Sequence, residues 1–261
     1  MRFVKFSMKG FEPRLGWIMG EKVGLIEGNL FGEYRRLEAN VDLRSIHLLP
    51  PVEPTKIICM GRNYAEHAKE HGAPVPESPL IFLKPPSSII GPEDTIILPP
   101  QSTQVEHESE LVIVIGKKGR WIPVEEARDY IFGYTIGNDV TARDLQNTDG
   151  QWTRSKGFDT FCSIGPWIES ELDVTDTLIT CRVNGELRQM ASTREMVFTI
   201  PQIITYISSI MTLFPGDLIF TGTPSGVGPL KDRDEVNVEI EGIGSLHNLV
   251  ASTAQNPFRR M

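Results

Sequence analysis

The stretch Val105-Glu106-His107-Glu108-Ser109-Glu110 runs straight into Leu111-Val112-Ile113-Val114-Ile115-Gly116. The apolar, β-branched run predicts a buried strand closed by a glycine. Side chains alternate along a strand, so Glu106, Glu108 and Glu110 are expected on one side. Carboxylates stacked that closely repel one another. Solvent, protonation, a basic partner or a hard cation must neutralise them. Acidic residues also line solvated edge strands, where they discourage aggregation. A third oxygen donor elsewhere in the chain would favour the cation.

Gly133-Tyr134-Thr135-Ile136-Gly137-Asn138-Asp139-Val140 supplies one candidate: a second strand pattern ending in a carboxylate. Asp139 at a buried strand end is costly unless paired or bound to a metal. Arg143, one helical turn later in the helix-competent Thr141–Gln146, offers the competing account of a plain salt bridge.

Composition narrows the partners. The 261-residue chain carries a net charge of −8 and no basic run, which argues against nucleic acid and against anionic membranes. A small anionic substrate stays compatible, because local Arg and Lys outweigh the global sign. Cys59, Cys162 and Cys181 are odd in number and far apart, so each reads as a small buried hydrophobe. The N-terminus alternates like a strand, without the apolar core of a signal peptide, and no run approaches a membrane span. A cytoplasmic protein is expected.

Short strand patterns at Arg2–Met8, Leu15–Met19 and Lys22–Glu27 form an N-terminal unit, closed by the stiff Leu48–Pro54 segment. The chain divides as a small β domain (1–52), a main domain (53–252) and a mobile tail (253–261). Further strands are predicted at Lys56–Met60, Leu80–Leu83, Thr95–Leu98, Leu178–Val183, Glu186–Met190, Leu218–Phe220 and Val236–Ile240. Helices are predicted at Tyr64–Gly72, Pro123–Tyr130 and Ile200–Leu213. Asn184-Gly185 is the strongest hairpin signal. Strands dominate without βαβ alternation, so the fold class is α+β with a mainly antiparallel or mixed sheet.

Six motifs, in order, resemble the fumarylacetoacetate hydrolase family. They are Gly61-Arg62-Asn63-Tyr64-x-x-His67-x-x-Glu70, Phe82-Leu83-Lys84-Pro85, His107-Glu108-x-Glu110-Leu111, Asn138-Asp139-Val140-Thr141-Ala142-Arg143-Asp144-x-Gln146, Trp152-Thr153-x-x-Lys156-x-Phe158, and Pro215-Gly216-Asp217 continuing through Thr221-Gly222-Thr223-Pro224-x-Gly226-Val227-Gly228. The resemblance spans about residues 55 to 250. It implies a β-rich mixed sandwich or roll with a small N-terminal β segment, assembled as a homodimer. It also implies a Mg²⁺ (or Mn²⁺) site on Glu108, Glu110 and Asp139, which suits hard oxygen donors. Glu106 falls outside that set and reads as a solvated or supporting carboxylate.

Roles follow from the same resemblance. His67 and Glu70, at i and i+3 on one helix face, match a His–Glu dyad in which the carboxylate orients the imidazole. Lys156 matches an ammonium that stabilises an enolate. Arg143 and Gln146 match positions that contact substrate or secure the metal loop, and Thr223 matches the residue that hydrogen bonds the substrate carboxylate. Lys84 is the weaker substrate candidate, since a strand-end lysine is ordinarily solvated. Glu66 and His71 read as solvated helix residues, with His71 able to substitute for His67 if the helix register shifts, and residues 64–80 read as a lid. The implied reaction is metal-dependent C–C hydrolysis of an acylpyruvate. Isomerisation of a 2-hydroxy-diene dioate, decarboxylation of oxaloacetate and a non-catalytic metabolite-binding role are the alternatives.

Overall fold

The acidic-to-apolar stretch supplies an inner strand of the molecule. In the computed structural model, which describes residues 1–253, Ser109–Ile115 lies within a twelve-stranded mixed sheet. It pairs antiparallel with Ile131–Asp139 on one side and Leu218–Phe220 on the other. Leu111, Ile113 and Ile115 enter one apolar cluster with Ile58, Ile136, Ile204 and Val238, while Val112 and Val114 enter a second with Ile57, Cys59, Ile164 and Phe220. Both faces are covered, which explains an unbroken apolar run where a half-exposed strand would alternate.

Across the sheet the order runs Tyr34–Asp42, Lys22–Gly28, Phe11–Met19, Arg2–Met8, Cys162–Glu169, Ile131–Asp139, Ser109–Ile115, Leu218–Phe220, Ile57–Gly61 and Leu80–Lys84. The first four strands form a meander continuous with the main sheet, through Arg2 opposite Glu169 and Phe3 opposite Ile168. A five-stranded sheet comprises Glu186–Ser192, Leu178–Val183, Glu235–Ile240, Gly244–Ser252 and Thr95–Leu98. Its Val236, Val238, Ile240 and Leu246 share the larger apolar cluster with the main sheet. Asn184 and Gly185 turn its hairpin with φ of 52° and 80°, the left-handed pair that a two-residue type I′ turn requires.

Ile200–Ile210 is an α-helix that buries Ile203, Ile204 and Ile207, and the Gln202 side chain accepts the Thr199 N–H at its start. The helix expected over Pro123–Tyr130 is reduced to a 3₁₀ segment at Ala127–Tyr130, preceded by turns. With one apolar residue, Ala127, buried in that segment, there is no face for a longer helix to pack. Tyr34–Asp42, Cys162–Glu169 and Gly244–Ser252 are strands the sequence reading did not anticipate. All three cysteines are free and buried. Among the described residues no helix is long and apolar enough to cross a membrane. The expectation of a mobile tail falls, beyond Thr253, outside the described residues.

Candidate metal and active site

The expected single acidic strand is two strands. Val105–His107 joins a small sheet with Thr141–Ala142 and Gly228–Pro229, and the ladder breaks at Glu108 before Ser109–Ile115 begins. The break is filled locally. The Glu108 N–H donates to Asn138 Oδ1 and the Glu108 carbonyl accepts from Asp139 N–H, each at 2.9 Å. Beyond it, register does the positioning. Glu110 sits opposite Gly137, so Asp139, two residues on, shares its face. One carboxylate oxygen each from Glu108, Glu110 and Asp139 lies within 4.8 Å of the others, and all three side chains are buried.

Cationic side chains surround this cluster. Lys156 Nζ donates to Glu108 Oε2 and Asp139 Oδ2, both at 2.7 Å. Lys84 ion-pairs with Asp139 and donates to the Val140 carbonyl at 3.3 Å. The expectation of a solvated Lys84 is therefore wrong: the ammonium is buried, because Leu80–Lys84 ends against the strand end that carries Asp139. The salt-bridge account of Asp139 also needs correcting, since its partners are the two lysines. Arg143 instead clamps Glu106 Oε2 at 2.7 Å and Glu108 Oε1 at 2.5 Å, with its third arm on Gln146 Oε1 at 2.6 Å. Glu106 is thus a buried support for Arg143 and not a solvated acid.

The acids divide by environment. Burial opposes ionisation of Glu108, yet Lys156 and Arg143 outweigh it and hold that carboxyl well below the usual range. Glu110 lacks such a partner. Burial, then Asp139 and Glu108, push its carboxyl well above the usual range, outweighing the charge of Lys156 and the Gly222 N–H at 2.6 Å on Oε2. Three carboxylates (Glu106, Glu108 and Asp139) balance three cations (Lys84, Lys156 and Arg143), and Glu110, once ionised as a metal ligand must be, adds a negative charge in excess. A buried, all-oxygen donor set with surplus negative charge fits a hard divalent cation. Gly222 is required here: its φ is +97° and a Cβ would come within 2.7 Å of Asn63 Cβ.

A cavity of about 340 Å³ opens over the cluster, lined by Arg62, His67, Phe82, Gln146, Trp152 and Thr223, with Glu108, Arg143 and Lys156 also on its wall. Glu110 and Asp139 stand behind that wall. His67 is on the short helix Ala65–Glu70, with Nδ1 3.4 Å from Glu70 Oε2. Burial, then His71 and Arg143, lower its proton affinity, so the imidazole is neutral near pH 7. Glu70 also accepts the Gly226 N–H at 3.1 Å, which ties the helix to the loop carrying Thr223. The sequence reading missed Arg62, held at φ 56° in the cavity lining, and Gln189, a fully buried amide on the other sheet. The unusual backbone of Arg62 leaves no mark in a sequence, and Gln189 sits in an otherwise ordinary hairpin strand.

A roll of mixed sheets thus brings buried carboxylates at strand ends, an ammonium and an imidazole to one cavity, the arrangement of an enzyme site. The chain belongs to the fumarylacetoacetate hydrolase family: the model for the "Fumarylacetoacetate (FAA) hydrolase C-terminal" domain matches residues 56–251. A second model, "Rv2993c-like, N-terminal", matches residues 1–51. The chain is 53% identical over 232 residues to an uncharacterized protein of Methanocaldococcus jannaschii, covering 89% of this chain and 95% of that one. It is 43% identical over 260 residues to the mitochondrial oxaloacetate tautomerase FAHD2B of Bos taurus, covering 94% of this chain and 83% of the relative. Among solved structures, the 2-hydroxyhepta-2,4-diene-1,7-dioate isomerase of Mycobacterium marinum aligns with a TM-score of 0.91 at 41% identity, over 98% of this chain and all of that one.

Proposed function

We propose that the protein is a cation-dependent tautomerase or isomerase of a small 2-oxo dicarboxylic acid, moving a proton between the carbon beside the ketone and its oxygen. The observation that carries this reading is the pairing of opposite capacities on one cavity wall. Lys156 is an ammonium fixed at 2.7 Å from two carboxylates, and His67 is a neutral base. The bovine relative, described as an oxaloacetate tautomerase, and the mycobacterial isomerase support the same reaction type.

Glu108, Glu110 and Asp139 would hold Mg²⁺ or Mn²⁺. When bound, such an ion supplies Lewis-acid polarisation of the 2-oxo oxygen. His67 accepts the proton from the adjacent carbon, the C–H electron pair becomes the new C=C bond, and the carbonyl π pair moves onto the ketone oxygen as an enolate. Returning the proton to that oxygen completes the enol. Lys156 stabilises the developing charge, since a fixed ammonium in a dry site needs no reorganisation. Glu70 holds the His67 ring in orientation. Thr223 and Arg62 present a hydroxyl and a guanidinium to the substrate carboxylates. Arg143 has its donors on Glu106, Glu108 and Gln146, so its part is to secure the site.

The His67–Glu70 contact at 3.4 Å favours a second reading, hydrolysis of an acylpyruvate, because an oriented imidazole can also deprotonate water. One experiment separates the two. With Mg²⁺ present, decay of oxaloacetate enol absorbance without loss of total oxaloacetate supports tautomerisation. Release of acetate and pyruvate from acetylpyruvate supports hydrolysis, and no acceleration of either with Mg²⁺ or Mn²⁺ defeats both.

A further inference from the structure

A second group of ligand-type side chains converges among the described residues, at the helix Ala65–Glu70 and its cap. His67, Glu70 and His71 each place one donor atom within 4.8 Å of the other two. Their i, i+3, i+4 spacing puts them on one face. The imidazoles meet edge to face with centroids 4.7 Å apart, and His67 Nδ1 is 3.4 Å from Glu70 Oε2. The Gly226 N–H fixes the Glu70 carboxylate from the other side, while His71 stands exposed at the cavity rim.

Donor chemistry separates this group from the carboxylate cluster. Two imidazoles and one carboxylate select a borderline ion of the zinc class, whereas three carboxylates select a hard ion. Tetrahedral bonds of about 2.0–2.1 Å put ligand atoms about 3.4 Å apart. The His67–Glu70 pair already meets that spacing, and closure of the third side falls to His71, which is exposed and able to move. Arg143 would repel a cation, but its charge is matched by Glu106 and Glu108.

We propose that His67, Glu70 and His71 form an inhibitory site for a zinc-class transition-metal ion, with its fourth position open to the cavity. Occupation takes the His67 lone pair and stops proton transfer. This shut-down, unlike the binding itself, rests on His67 as the base of the function proposed above.

The test uses the whole chain saturated with Mg²⁺, titrated with Zn²⁺ by calorimetry and with Co²⁺ by its visible d–d bands. Wild type is expected to bind one Zn²⁺ per chain and to lose tautomerase activity in step. H71A, with H71Q as its milder counterpart, should weaken both effects by at least about tenfold, since even outer-shell ligand losses reach that size. Turnover of these variants in Mg²⁺ alone, read at about pH 8 where the His67 imidazole is neutral with or without His71, should stay within about twofold of wild type, because His71 neither gives nor takes the transferred proton. Unchanged Zn²⁺ affinity in both His71 variants overturns the site. So does inhibition that excess Mg²⁺ fully reverses, which would place zinc on the carboxylates. Zn²⁺ binding that depends on His71 yet leaves turnover untouched keeps the site, refutes inhibition, and removes His67 from the proposed function.

Discussion

Gln189 Nε2 donates to the Thr223 hydroxyl oxygen at 2.7 Å. The amide orientation is fixed by its other contacts: Nε2 donates to the Pro224 carbonyl at 2.8 Å, and Oε1 accepts the Ser109 N–H at 3.1 Å and faces His107 Nδ1 at 3.0 Å. A hydroxyl that accepts from Gln189 keeps its own proton for the cavity. Thr223 is thereby set as a donor toward an anionic substrate.

Gln189→Met should therefore raise KM by about tenfold while moving kcat much less, since misaiming one neutral donor costs roughly 1.4 kcal/mol of ground-state binding. In a Thr223→Val background the same change should add little, because the two residues act as one unit. Steady-state kinetics of the four-member cycle checks this. Losses that simply multiply would separate Gln189 from Thr223.

Lys156→Met should cut kcat about 10²–10³-fold, the scale for deleting one preorganised charge or donor at a developing oxyanion. It also strips Glu108 and Asp139 of a shared partner. Single-turnover decay of the enol gives the chemical step directly, and a rate near wild type would remove the ammonium from the mechanism.

The pH profile has a defined sign. His67 must be neutral to accept a proton, and burial, His71 and Arg143 lower its pKa from the ordinary imidazole value. Activity is then full above about pH 6.5 and falls only as pH drops further, through the folded-state value. The acid limb of kcat/KM should lie below that of a free imidazole and vanish in His67→Ala. A limb above pH 7 would contradict the neutral-base assignment.

Glu110→Gln removes a carboxyl that burial, Asp139 and Glu108 all disfavour as an anion. In chelator the variant should be at least as stable as wild type near pH 7, because the cost of taking up a proton at that buried carboxyl on folding is gone. Mg²⁺ at 100 times its Kd should stabilise wild type by about 2.7 kcal/mol and the variant far less. Urea denaturation with and without Mg²⁺ measures both, and an equal Mg²⁺ effect would exclude Glu110 as a ligand.

The site was partly legible in the residue pattern. Acidic positions two apart, before an apolar run, pointed to a carboxylate cluster, and Asp139 joined it because strand register is regular. The break at Glu108 was hidden, since it depends on the Asn138 side chain replacing a ladder bond. Lys84 was misread for the same kind of reason: whether a strand-end lysine meets water or a buried carboxylate depends on which strand lies beside it. Tyr34–Asp42 escaped notice as a strand because it lies at the sheet edge with polar residues on both faces. The Pro123–Tyr130 helix failed in the opposite direction, with good local signals and no apolar face to bury.

The junction of Arg2–Met8 with Cys162–Glu169 has a consequence for the order of assembly. The N-terminal hairpins can form as soon as they are synthesised, with His47–Leu49 covering Lys5–Ser7, but Arg2 and Phe3 on the same edge have no partner until residues 162–169 leave the ribosome. An open edge held that long is prone to wrong pairing. The late strand that closes it also becomes the second neighbour of Ile131–Asp139, aligning Cys162 with Asp139. Docking of the chain's beginning and pairing of the strand that carries Asp139 thus share one strand, so a register slip there would reach both the N-terminus and the carboxylate site.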